Sequence, residues 1–88
     1  MRFARAVFKI GSKLSESNNK NNSKIVCSYA DKMSGVALTF GTNDRGEYLC
    51  QIEVRGYSSA YCKGVIAEIK ELIKTTYRCK VDTLFYAY

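Results

Sequence analysis

The chain has 88 residues and a formal net charge of +6, with 47% hydrophobic and 25% charged residues. This composition is typical of one small globular domain and argues against disorder. Histidine is absent, which excludes an imidazole general base and the common nitrogen ligand of zinc. Because no apolar run approaches the ~20 residues that span a bilayer, we expect a cytoplasmic protein without a membrane partner, in the host cytoplasm if it is viral.

Residues 2–10 carry a pattern that fits either a strand or a helix. In a strand, alternate apolar side chains lie on one face, and these are Ala4, Ala6, Phe8 and Ile10. In a helix, the apolar stripe is formed by Phe3, Val7, Ile10 and Leu14. The β-branched residues of "VFKI" and the following Gly11 favour the strand, and the helix stays as the alternative.

A polar tract, "SESNNKNNSK", occupies residues 15–24 and contains four asparagines and two lysines. We predict a flexible polar loop over residues 13–24, longer than most connections in a compact domain. The next stretch, "KIVCSYAD", is apolar enough to be interpreted as a second strand.

Two further strands are predicted in "GVALTFG" and "EYLCQIEVRG", where apolar and polar residues alternate. Between them "TNDRGE" has the Asn, Asp and Gly that hairpin turns prefer. A helix over residues ~60–77 follows from apolar residues at helical spacing, with Ser58 or Ser59 as its N-cap. A β-rich segment, "KVDTLFYAY", ends the chain.

These elements predict an α+β fold for a single domain over residues 1–88, in the order β-β-β-β-α-β. One long helix would pack on an antiparallel sheet of four to five strands. Four cysteines, Cys27, Cys50, Cys62 and Cys79, occur without a C-x-x-C motif. We interpret them as small buried hydrophobes, with disulfides or a four-cysteine metal site as alternatives.

No catalytic set is recognisable, so we expect a protein that is not an enzyme and has no catalytic residues, metal site or cofactor. The chain has no glycine-rich phosphate-binding motif and no G-x-S-x-G. Two-metal nuclease chemistry needs converging carboxylates, and the predicted helix has no acid before Glu68.

The positive charge is concentrated at the N-terminus. Residues 1–24 hold six basic side chains and one acidic side chain, whereas residues 25–88 hold eight basic and seven acidic side chains. Lysine and arginine displace counterions from phosphates, and tyrosine stacks on unpaired bases. We therefore predict nucleic-acid binding, to RNA rather than DNA. The predicted contacts are Arg2, Arg5, Lys9, Lys13, Lys20 and Lys24 to phosphates, and Tyr29 and Tyr57 to bases.

A second hypothesis is a protein-binding inhibitor or antitoxin-like factor of the bacteriophage type, acting alone or together with RNA. An open sheet presents edge strands that pair with a partner's edge. The candidates for such an edge are "LFYAY" and the N-terminal strand. Pairing between two copies, which would give a homodimer, is left open by the same pattern.

Overall fold

The computed structural model describes residues 2–11 and 16–87, with the backbone alone at residues 16 and 17. Over this part of the chain, four strands and two helices follow in the order β-α-β-β-α-β. They are β1 (Arg2–Ile10), α1 (Glu16–Asp31), β2 (Val36–Thr42), β3 (Tyr48–Gly56), α2 (Ser59–Tyr77) and β4 (Val81–Ala87).

The strands form one antiparallel sheet in the order β2-β3-β1-β4, so β1 is central and both β2 and β4 are edges. Ala6 of β1 lies opposite Ile52 of β3, and the register between β1 and β4 shifts between Val7 and Phe8. The predicted α+β fold with a helix near residues 60–77 is confirmed, and residues 2–10 form the strand. The N-terminal strand is not an edge, which corrects that part of the docking hypothesis.

Both helices pack against the same face of the sheet, which we call the inner face. Along β1 and β3, every second residue points into the core between the sheet and the helices. The buried core side chains are Ala4, Ala6, Phe8, Ile10, Val26, Ala30, Cys50, Ile52, Val54, Cys62, Val65, Ile66, Ile69, Ile73, Tyr77 and Val81. Cys50 and Cys62 are thus small buried hydrophobes, whereas Cys27 and Cys79 are half-buried, and all four are free thiols.

The predicted loop over residues 13–24 and the strand in "KIVCSYAD" are wrong from Glu16 onward, because residues 16–31 form α1. Helix α1 buries Val26 and Ala30, which lie one turn apart and are 0% and 3% exposed. This i, i+4 pair gives the polar helix a narrow apolar contact with the rest of the core. Lys13 lies outside the described residues.

A cluster of aromatic side chains holds the asparagine-rich end of α1 against the sheet. The Tyr77 hydroxyl donates to the backbone carbonyl oxygen of Asn19 at 3.3 Å and lies 3.1 Å from the Tyr48 hydroxyl. Phe40 stacks with both tyrosines, at ring-centroid distances of 6.0 and 6.2 Å. Burial, followed by the hydrogen bond with Tyr48, raises the pKa of the Tyr77 phenol. Tertiary contacts therefore stabilise α1, whose sequence has a low intrinsic helix propensity.

The predicted helix N-cap and the predicted hairpin turn are both present in the structure. Ser58 is the N-cap of α2, and its hydroxyl accepts a hydrogen bond from the Tyr61 backbone N–H at 3.1 Å. In the hairpin between β2 and β3, the Asn43 side-chain oxygen accepts from the backbone N–H groups of Arg45 and Glu47. The left-handed residue of this turn is Gly46, with φ of 76°. Ser58 thus fixes the start of α2, and the Asn43 turn fixes the connection between β2 and β3.

Candidate nucleic-acid interface

The outer face of the sheet is the side that neither helix covers. On β1 it carries alternate residues from Phe3 to Lys9, and on β3 it carries those from Leu49 to Arg55. Antiparallel pairing places Phe3 beside Arg55 and Arg5 beside Glu53. The outer face therefore combines apolar and charged side chains on a flat, central part of the molecule.

Phe85 joins this face from β4 because of the irregular register. Thr83 lies opposite the inner-face residue Phe8, but after the shift Phe85 lies opposite the outer-face residue Val7. The Phe85 ring is 47% exposed, and the Arg5 guanidinium lies 5.5 Å from its centroid. Such a cation–π pair keeps an arginine over an exposed ring without burying either group.

Phe3 is the second exposed ring of the outer face, with 44% of its surface accessible. It lies at the start of β1, next to Arg55 on β3. A cavity of about 310 Å3 beside it is lined by Phe3, Gly35, Val36, Ala37, Glu53 and Arg55. Two phenylalanines, each close to an arginine, thus occupy the uncovered side of the sheet.

Acidic side chains offset part of the positive charge of the outer face. The Lys9 ammonium lies 3.0 Å from a carboxylate oxygen of Glu47. The pKa of Glu47 is lowered, mainly by a hydrogen bond from the Asn43 amide and then by Lys9. Glu53 lies opposite Arg5 and accepts a hydrogen bond from the Gln51 amide at 2.8 Å. Exposed aromatic rings, rather than a large excess of charge, distinguish this face.

The structure separates the residues that the sequence assigned to one binding surface. Arg5 and Lys9 lie on the outer face, whereas Lys20 and Lys24 are exposed on α1, in the helical layer beyond the inner face. Lys20 lines a cleft of about 780 Å3 between α1 and the β2–β3 hairpin. Basic residues that are close together in the sequence therefore lie on opposite sides of the sheet.

The other three assigned residues are Arg2 at the start of β1, Tyr29 on α1 and Tyr57 directly after β3. Arg2 is exposed at the start of β1, in the register that alternates onto the inner side. Tyr29 on α1 donates a hydrogen bond from its hydroxyl to Glu68 on α2. This bond, and then the Glu68 charge, raises the pKa of the phenol, so Tyr29 connects the two helices. Tyr57 is 93% exposed in the short connection between β3 and α2.

Sequence reasoning missed Phe3, Phe85 and Arg55 as site residues. Period-2 alternation on β1 was sufficient to place Phe3 on the same face as Arg5. Simple alternation would place Phe85 on the same side as Val81 and Thr83, and only the irregular register of β4 separates them. For Arg55 the available signal was its position opposite Phe3, which depends on the pairing of β1 with β3.

Among residues 2–11 and 16–87, no three Cys, Asp or Glu side chains are close enough to hold a metal ion. Over the same residues, no helix is sufficiently long and apolar to cross a membrane.

The comparisons with known proteins define the fold class. No protein-family model matches the chain, and no curated protein matches it either. It is similar to a de novo designed protein with a ferredoxin fold, with a TM-score of 0.74 and 15% identity over 100% of this chain and 87% of that one. It is also similar to a C-terminal segment of the alpha subunit of aIF2 from Pyrococcus abyssi, with a TM-score of 0.66 and 18% identity over 94% of this chain. The chain has a ferredoxin-like fold.

The extent of the second similarity is limited. The chain spans 49% of the aIF2 segment, slightly less than half its length. At identities of 15% and 18% both similarities concern the fold alone, because one fold supports many unrelated functions. The function must therefore be argued from the residues of the outer face.

Proposed function

We propose that this protein binds single-stranded nucleic acid, RNA in preference to DNA, across the outer face of its sheet. The observation that carries the proposal is the pair of exposed rings, Phe3 and Phe85, each with an arginine beside it. Four-stranded sheets that bind RNA stack two or three bases on exposed aromatic side chains. No catalytic step is part of the proposal.

The physical roles of the four side chains follow from their chemistry. Each phenylalanine offers a flat apolar ring, and base–aromatic stacking contributes about 1–3 kcal/mol per base. Arg5 and Arg55 neutralise neighbouring phosphates or stack on a base themselves. Because Glu53 and Glu47 offset nearby charge, we expect a moderate salt dependence, set by about two phosphate contacts.

Binding is tested by fluorescence anisotropy with a labelled single-stranded RNA of about ten nucleotides, at about 50 and 200 mM salt. We expect micromolar or tighter binding by the wild type, and an affinity lower by about fivefold or more in Phe85→Ala. Ile25→Ala is the matched control, because Ile25 is 55% exposed on α1. The proposal fails if the wild type does not bind at low salt, or if both variants bind equally well. Single-stranded DNA of the same sequence tests the preference for RNA.

A second candidate function, docking to a protein through a sheet edge, is favoured by the composition of β4. This edge strand exposes Leu84, Phe85 and Tyr86, at 53%, 47% and 36%. Exposed apolar edge strands pair with a partner's edge, and the irregular register of β4 at Leu84 limits the length of such pairing. The inhibitor or antitoxin-like hypothesis would use this edge to block a partner enzyme.

Leu84→Lys separates the two candidates, because a charge on an edge strand opposes pairing with another strand. If docking is the function, a partner purified with the wild type is lost with Leu84→Lys, while RNA affinity is not reduced, because the added lysine is positively charged. Equal recovery of the partner with Leu84→Lys and wild type contradicts docking through β4. A concentration-dependent mass in analytical ultracentrifugation that Leu84→Lys abolishes would instead identify the partner as a second copy of the chain.

A further inference from the structure

A cavity of about 410 Å3 opens at the end of the sheet, next to the outer face. It is lined by Ser34, Gly35, Arg55, Gly56, Tyr57 and Tyr61. We call it the tyrosine pocket. Its volume lies within the range of small-molecule sites, and of the described residues that line it only Arg55 is charged.

Two glycines determine the shape of the pocket. Gly35 has φ of 75°, and its carbonyl oxygen accepts a hydrogen bond from the Arg55 N–H at 2.8 Å. A Cβ atom on Gly35 would lie 2.5 Å from the Arg55 carbonyl oxygen, so this close backbone contact requires glycine. A Cβ atom on Gly56 would lie 3.1 Å from the Tyr61 ring. The Tyr61 ring thus packs directly over bare backbone.

The two tyrosines differ in exposure, and both leave aromatic surface available. Tyr57 is 93% exposed, and Tyr61 is 37% exposed although one side of its ring lies over Gly56. Packing within the domain does not explain an aromatic ring that is almost fully in water. Rings held at the rim of a small apolar cavity are suited to stack on another flat aromatic group.

The tyrosine pocket is continuous with the proposed binding face. The cavity beside Phe3 shares Gly35 and Arg55 with it. A single-stranded nucleic acid with one base stacked on Phe3 would therefore pass Arg55 on its way to Tyr57. Because Arg55 lines both cavities, its positive charge is close to both aromatic positions and suits the phosphate that joins consecutive nucleotides.

We propose that the tyrosine pocket binds one unstacked base of a single-stranded nucleic acid, against Tyr57 and Tyr61. Arg55 contacts the phosphate that connects this nucleotide to the one on Phe3. The inference rests on the proposed function and names one subsite of it. The occupant is a planar nucleobase, and the experiment distinguishes it from a phosphate alone.

Tyr57→Trp provides a direct reporter, because the wild-type chain contains no tryptophan. We expect saturable quenching of its fluorescence by single-stranded RNA, with the same midpoint as the anisotropy titration. A fully abasic oligonucleotide, which keeps sugar and phosphate, should not quench it. Ile25→Trp on the exposed surface of α1 is the control and should not respond to RNA.

Affinity provides the second readout. Tyr57→Ala should weaken RNA binding by about fivefold or more, and Tyr57→Phe should restore it because the ring is kept. Thermal stability should not change, since Tyr57 is 93% exposed. The pocket is not a base-binding site if RNA binding depends on Phe85 but does not quench Tyr57→Trp and is not weaker in Tyr57→Ala. In that case the proposed function still stands. Absence of binding by the wild type overturns both.

Discussion

The inner and outer faces of the sheet are formed by the same strands but carry different kinds of side chain. On β1, Ala6 and Phe8 of the inner face are 0% and 1% exposed, whereas Phe3 on the outer face is 44% exposed. The inner face of β1 and β3 is explained by packing, because its apolar side chains belong to the buried core that the helices complete. The outer face keeps aromatic rings that folding does not bury. This difference is the basis of the proposal that the outer face binds a partner.

The largest effect should come from shortening an inner-face side chain. Ile52 is 0% exposed, so Ile52→Ala should lower the free energy of unfolding by about 2–5 kcal/mol. Leu49→Ala is the matched control, because Leu49 is a half-buried outer-face residue of the same strand. Urea denaturation should show less than half the loss for Leu49→Ala. Equal losses would mean that the two faces contribute alike to the core.

The second effect is a loss of stability at alkaline pH. Burial, and then the nearby Cys27, raises the pKa of the Cys50 thiol from 9.0 to about 12. Between these values the unfolded chain loses a proton that the folded chain keeps, so stability falls as pH rises, by up to about 1.4 kcal/mol per unit. Below pH 9 the contribution is fully present.

This pH effect is measured by denaturation under reducing conditions at about pH 8 and pH 10.5. Cys50→Ala is the control variant. It is less stable at pH 8, because it leaves a small cavity, but it should lose less stability between the two pH values. An identical loss in both proteins would assign the titration to other groups, such as the phenol of Tyr77, whose pKa is also raised.

The smallest effect concerns affinity and tests the division of positive charge between the two sides of the sheet. Arg5→Gln with Arg55→Gln should weaken RNA binding by roughly tenfold and lower the slope of log affinity against log salt by about 1.4, the value for two phosphate contacts on a single strand. Lys20→Gln with Lys24→Gln removes the same charge from α1 and should have less effect. A larger loss from the lysine pair would place the binding surface on the helical layer.

The sequence predicted most elements of the fold because their periodicity is strong. Apolar alternation located β1, β2 and β3, and the helical spacing from Tyr61 to Ile73 located α2 within two residues at either end. In each case several apolar side chains share one face, so local pattern and tertiary packing agree.

Helix α1 was missed for a physical reason. Its buried core side chains are Val26 and Ala30, and the alternation of "KIVCSYAD" fits a strand equally well. The asparagine-rich turns before them have little helix propensity. Their helical structure depends on contacts from Tyr77 to Asn19, 58 residues apart in the sequence, and no local pattern contains that information.

The candidate site was predictable only in part. Arg5 lies on the outer face with two rings that alternation and strand pairing bring near it. Lys20 and Lys24 do not share a surface with Arg5, because α1 places these lysines across the sheet from β1. Composition located the excess charge along the chain, but only topology determines which charges share a surface.

The central claim is that the outer face binds single-stranded nucleic acid, and an amide chemical-shift titration tests it most directly. Uniformly 15N-labelled protein is titrated with a short single-stranded RNA, and shift changes are mapped residue by residue. We expect the largest changes at Phe3, Arg5, Arg55 and Phe85, with little change along α1. Changes confined to α1 around Lys20 and Lys24, or no changes at all, would contradict the claim.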